Sequence, residues 1–227
     1  MEYHLSKKPK GVKTLIEGFP GMGLIGTIVT EFLLEHLKFE KIGEFIFDEL
    51  PPTVAIHKGE LVQPLAIFYN EKFKLVILHA IVDIKGVEWL IADQVSKLAK
   101  ELGVKEIISL EGVVSEGGED LYCFNNKKFE ELGAKPIGES VIMGVTASLL
   151  LREKNLSCLF AQTHSSMPDS RAAAQMMEFL DKYLGFKIDT KPLLLQADIF
   201  EKKIKDIMRQ TKNTQSEAER KQMSYLG

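Results

Sequence analysis

"EGFPGMGLIGTIV", residues 17–29, decides how the rest of the chain is read. It follows an apolar run, "TLIEG" (14–18), and opens a helix-spaced one with Ile25, Ile28, Val29, Phe32, Leu33 and Leu37 on one face. A buried strand, a glycine turn and a helix are therefore expected in that order. Gly21, Gly23 and Gly26 have the spacing of a dinucleotide-binding fingerprint, in which glycines permit a tight turn and bring backbone close to pyrophosphate. Asp48, at the end of the second predicted strand, stands near the place of a ribose-binding acid. Against that reading, Pro20 removes an N–H from the loop, and the chain continues into an antiparallel excursion. The other reading is geometric: Gly21 and Gly23 shape the turn, and Gly26 lets the helix lie close to the sheet. Without its context the fingerprint is a weak signal.

The alternation of strand and helix continues along the chain. Strands are expected at 42–50, in two runs within 53–69 around Lys58-Gly59, and at 73–82, 104–112, 121–124 and 156–163. Helices are expected after Gly86, ending at Gly103, over 143–154, and over 168–185 with Ser166 as N-cap and Gly185 as terminator. Such a pattern implies a single α/β layered domain around a mostly parallel sheet, made mixed by the excursion at 53–69.

A chain of 227 residues with 45% hydrophobic and 27% charged side chains can bury a full core without staples. The net charge of −3 gives no bulk attraction to nucleic acid. No apolar run reaches the roughly 18 residues of a membrane span, and the first residues, "MEYHLSKKPKGVK", lack the apolar centre of a secretory signal. Cys123 and Cys158, far apart in apolar strands, argue against a disulfide framework or zinc site and point to a reducing, cytoplasmic compartment. The five histidines form no His-x-His or His-x-x-x-His pair, so no metal site is expected.

Three loops carry candidate chemistry. The first is the glycine turn, with Gly21, Met22 and Gly23. "LEGVVSEGGED" (110–120) offers carboxylates for acid–base work or a hard cation, or simply a solvated loop; Glu111, directly after a strand and before Gly112, is the one placed to face inward. "AQTHSSMPDSR" (161–171) gathers Thr163, His164, Ser165, Ser166 and Asp169, which suits either a hydrolase or a capped helix start. All three loops follow predicted strands, so a parallel sheet would bring them together at its carboxyl edge, where α/β folds form ligand crevices. A pocket lined by Gly21, Met22, Gly23, Glu111, Gly112, Thr163, His164 and Ser165 is the expectation.

Taken in order, "GFPGMGLIG", "LEGVVSEG", "GVTASLLL" and "AQTHSSMPDSRAAAQMMEFL" closely resemble archaeal members of the second proteasome-assembly-chaperone family, over most of residues 14–185. The resemblance implies a nucleoside-phosphorylase-like α/β domain without catalysis or cofactor. It further implies a homo-oligomer that binds proteasome α-subunits or the 20S core particle. On that basis residues 1–192 are expected to form the domain and 193–227 a C-terminal helix and mobile tail. The alternative is a small-molecule enzyme of the same architecture that uses the carboxyl-edge pocket.

Beyond Pro192, Leu193, Ala197, Phe200, Ile204 and Ile207 repeat at 4-3-4-3 spacing. Two heptads are too few for an independent coiled coil, so this seam packs either on its own body or on a neighbouring subunit. Segment 201–222 carries seven basic residues against four acidic ones, a basic arm on an acidic body. The chain ends "KQMSYLG". Some proteasome-binding proteins insert a C-terminal hydrophobic-Tyr-any motif between α-subunits; here Tyr225 is third from the end, followed by Leu226 and Gly227, and preceded by Ser224. The tail is either an imperfect version of that motif or a terminus without a role.

Overall fold

The structure is a computed structural model and describes residues 1–50, 52–57, 59–114, 120–163, 166–195, 199, 202–204, 206 and 209. In chain order the strands are β1 (Glu2–Leu5), β2 (Thr14–Gly18), β3 (Glu40–Ile46), β4 (Ala55–His57), β5 (Glu60–Val62), β6 (Leu65–Asn70), β7 (Leu75–Ala80), β8 (Glu106–Val114), β9 (Leu121–Phe124), β10 (Lys135–Pro136) and β11 (Leu156–Thr163). The helices are α1 (Ile25–His36), α2 (Glu88–Leu102), α3 (Lys127–Glu131), α4 (Gly144–Leu150), α5 (Ser170–Leu184) and α6 (Lys191–Leu195). A single 3-10 turn, Met22–Leu24, precedes α1.

Among the described residues nine strands form one mixed sheet in the order β1-β3-β6-β7-β2-β8-β11-β9-β10, and β4 and β5 form a separate hairpin. Its centre, β7-β2-β8-β11, is parallel. The wings are antiparallel at β1-β3, β3-β6, β6-β7 and β11-β9, and β9-β10 is again parallel. All five residues of β2 are buried, as a strand covered on both faces requires. Leu15 faces a core built with α2 and α4. Ile16 faces a second core built with α1 and α5. The fold is thus a three-layer α/β domain, with a mixed sheet between two helical layers.

Local chemistry accounts for the helix ends. Gly103 and Gly185 close α2 and α5 in the left-handed conformation that only glycine adopts without strain. At the start of α5 the expectation is corrected. Asp169, and not Ser166, is the N-cap, its Oδ1 accepting from the Ala172 amide at 3.0 Å. Pro168 stands between Ser166 and the helix, and the reach to the third helical amide belongs to Asp169. Helix α4 also ends at Leu150, short of the expected 154. β3 begins at Glu40 and ends before Asp48, and it is separated from β2 by β6 and β7. Asp48 therefore does not flank the glycine turn in the way a ribose-binding acid would.

Candidate functional site

The carboxyl ends of β2, β8 and β11 bring together parts of all three loops. The glycine turn lies on the end of β8. A Cβ on Gly21 would run into the Glu111 carboxyl, and one on Gly112 would run into the Met22 carbonyl. Behind the turn, a Cβ on Gly26 would lie 2.5 Å from the Leu110 carbonyl, so α1 approaches the sheet more closely than any other residue there allows. Gly23 sits at φ 67°, beside Thr163. Its carbonyl accepts from the Asp169 amide at 2.9 Å, while Thr163 Oγ1 donates to Asp169 Oδ2 at 2.9 Å. Gly21, Met22, Gly23, Glu111, Gly112 and Thr163 are thus brought together. His164 and Ser165 lie outside the described residues.

Beneath the turn is a residue the sequence reading passed over. Glu17, the fourth residue of β2, is 1% exposed and points to the same side as Glu111. It accepts from the Ser109 hydroxyl, from Phe19 N–H at 3.3 Å and from Thr146 Oγ1 at 3.4 Å. Thr146 Oγ1 also lies 3.3 Å from Glu111 Oε2, and so joins the two acids. Glu111 accepts in addition from the Gly112 amide, at 3.4 Å. Among the described residues no lysine, arginine or histidine pairs with either acid. Burial, reinforced by the neighbouring Glu111, pushes Glu17 up to about 8, against the pull of its hydrogen bonds. Burial likewise pushes Glu111 up to about 7. The pair therefore retains a proton near neutrality.

The geometry gives the glycines a packing role. In a phosphate-binding loop the N–H groups are presented to the ligand. Here the Phe19 N–H is spent on Glu17, the Gly112 N–H on Glu111 and the Leu24 N–H on the Gly21 carbonyl. The turn is built for close packing. A protonated carboxyl pair has the proton affinity of a general acid–base couple. Glu17, however, is sealed between β2, β8 and α4, and Cys158, the buried thiol on the same face, is pushed well above the usual thiol range by burial and by the two acids. Cys123 and Cys158 are both unpaired and buried.

On the opposite face a second buried cluster was also missed. His79 at the end of β7 contacts Thr30 Oγ1 through Nδ1 at 2.9 Å and Glu31 through Nε2 at 3.0 Å. Glu31 also pairs with Lys203, which reaches Glu35 at 3.1 Å. Burial works to raise Glu31, but the His79 bond and the Lys203 charge outweigh it and hold the carboxyl down at about 2. Beside this cluster Leu193 and Ile204 are 0% and 4% exposed within the α1/α5 core. Of the two uses considered for the seam, packing on the chain's own body is the one these two residues serve. Ala197, Phe200 and Ile207 lie outside the described residues, as do Tyr225, Leu226 and Gly227.

The PAC2 family profile matches residues 15–208. The crystal structure of Pyrococcus furiosus PbaA, an archaeal homolog of proteasome-assembly chaperone, superposes with a TM-score of 0.82 at 26% identity, covering 93% of this chain and 99% of that one. P. furiosus PbaB, an archaeal proteasome activator, shares the fold, with a TM-score of 0.72 at 20% identity over 90% of this chain and 97% of its own. In Methanocaldococcus jannaschii, the uncharacterized protein MJ0106 is 25% identical over 220 residues, 93% of this chain and 92% of that protein.

Proposed function

The chain belongs to the PAC2 family, and from that premise we propose that it is a non-enzymatic proteasome-assembly chaperone or proteasome-binding adaptor. The observation that carries this reading is the likeness to PbaA, which extends along nearly the whole of both chains at 26% identity. The carboxyl edge agrees with it, because the donors that would receive an anionic substrate are taken up internally. The partners are proteasome α-subunits or the 20S core particle. The protein acts in the cytoplasm, in keeping with two unpaired cysteines, and as a homo-oligomer. Tyr225, Leu226 and Gly227 are the residues through which the tail would reach a pocket between α-subunits.

The test is retention of archaeal α-subunits and of intact core particle by the full chain and by a version ending at Lys221. Retention by the full chain alone supports the reading and places the contact in the last six residues. Equal retention by both supports it and moves the contact to the folded body. If neither retains either partner, and neither alters core-particle assembly or peptidase activity, the reading is wrong.

A further inference from the structure

Two acids share the space beneath the glycine turn, and among the described residues no cation balances them. The groups facing them are Ser109 from β8, Thr146 from α4, the Cys158 thiol from β11 and the backbone of Phe19 and Met22 from the turn. From β7, the residue paired with Glu17 is the apolar Leu78. The next residue, His79, points to the other face and is engaged by Glu31. Among the described residues, none of the groups on the acids' side supplies a positive charge. Such a pair does not keep two negative charges in one buried place; it either retains a proton or parts.

The two acids are not equally free to part. Glu17 is buried and fixed by three donors, whereas Glu111 is only partly buried and held by two, Thr146 and the Gly112 amide. Gly21 lies against the Glu111 carboxyl. The turn is tied onward to the start of α5 through Gly23 O and the Asp169 amide. Any outward movement of Glu111 thus takes away the support of Gly21 and strains the contact with Asp169.

We propose that Glu17 and Glu111 form a proton-operated clasp on the glycine turn. While the pair retains a proton, the turn is held against β8; when both acids ionise, Glu111 moves to solvent and the turn lifts from the carboxyl edge. The elevated affinity of both carboxyls, to about 8 and about 7, sets the change between neutral and mildly alkaline pH. What changes is the surface around Met22, Thr163 and Asp169. The central sheet keeps its packing.

The experiment is amide hydrogen exchange on the full chain between about pH 6 and pH 9, expressed as protection factors so that the intrinsic pH dependence of exchange is removed. It compares the wild type with Glu17→Gln and Glu111→Gln. In the wild type, protection at Leu24 and Asp169 is expected to fall at least about tenfold across that range while protection within β2 and β11 holds. In each glutamine variant one partner is permanently neutral, and the fall is expected to disappear; if one variant does not fold, the other decides. Unchanged protection at the turn in the wild type overturns the clasp. So does the same fall in a folded glutamine variant, or a parallel fall in β2 and β11, which would signify general loosening.

Discussion

Glu17 and Glu31 are 14 positions apart in sequence, both largely covered, and their carboxyls lie on opposite faces of one sheet. One is pushed up to about 8 and the other held down at about 2. Burial acts in the same direction on both. The difference is the company each keeps. Glu31 has His79 and Lys203 within ion-pair reach; Glu17 has hydroxyls, an amide and a second acid. The comparison shows that this protein uses buried glutamate for two purposes. On the α1 face an ionised carboxylate fastens a C-terminal segment to the body, and on the α4 face a protonated pair packs beneath a turn.

The contrast breaks most severely when His79 and Lys203 lose their acid. Glu31→Ala leaves His79 and Lys203 without a carboxylate, and is expected to cost about 3 kcal/mol at neutral pH, a fall of roughly 6–12 °C in melting temperature. Because the Glu31 carboxyl is lowered on folding, its contribution is present above about 4.5 and fades as pH falls toward 2. Thermal melts across that range should therefore show the gap between wild type and variant narrowing in acid. Next in size, and opposite in sign, is Glu17→Gln. The amide keeps an oxygen for Phe19 N–H and turns its NH2 to the Ser109 and Thr146 hydroxyls. For a carboxyl raised on folding, the benefit of its proton is complete below about 4.5 and lost as pH rises through about 8. The variant is expected to match the wild type near pH 4 and to exceed it by about 2 kcal/mol near pH 9, as read by chemical denaturation. The smallest effect is expected from Thr146→Val, which removes the hydroxyl shared by both acids and costs about 1 kcal/mol. Since it leaves the Glu31 cluster intact, the pH dependence below about 4.5 should be unaltered.

The sequence made the backbone frame of this site legible and left its chemistry half hidden. "TLIEG", the glycine turn and the helix after Leu24 stand where periodicity and glycine spacing put them, and β9 and β11 coincide with the runs 121–124 and 156–163. Glu111 was readable because a charge at the end of an apolar strand has few reasons to be there. Glu17 carried the same signal inside "TLIEG", but it was absorbed into the strand assignment. Ser109 and Thr146 are unremarkable as letters; they lie 92 and 129 residues from Glu17, and only the sheet register and the seating of α4 bring them to it. Lys203 is 172 residues from Glu31, beyond any local pattern. The short edge strand β10 has two residues and is defined by its partner alone.

The most direct test follows the side-chain carboxyl carbons of Glu17, Glu111 and Glu31 by carbon-13 NMR from about pH 3 to pH 9. The account expects Glu31 to remain ionised throughout and Glu17 and Glu111 to titrate near 7–8, as a coupled pair. Titration of both Glu17 and Glu111 near 4.5, in step with exposed glutamates, would contradict it.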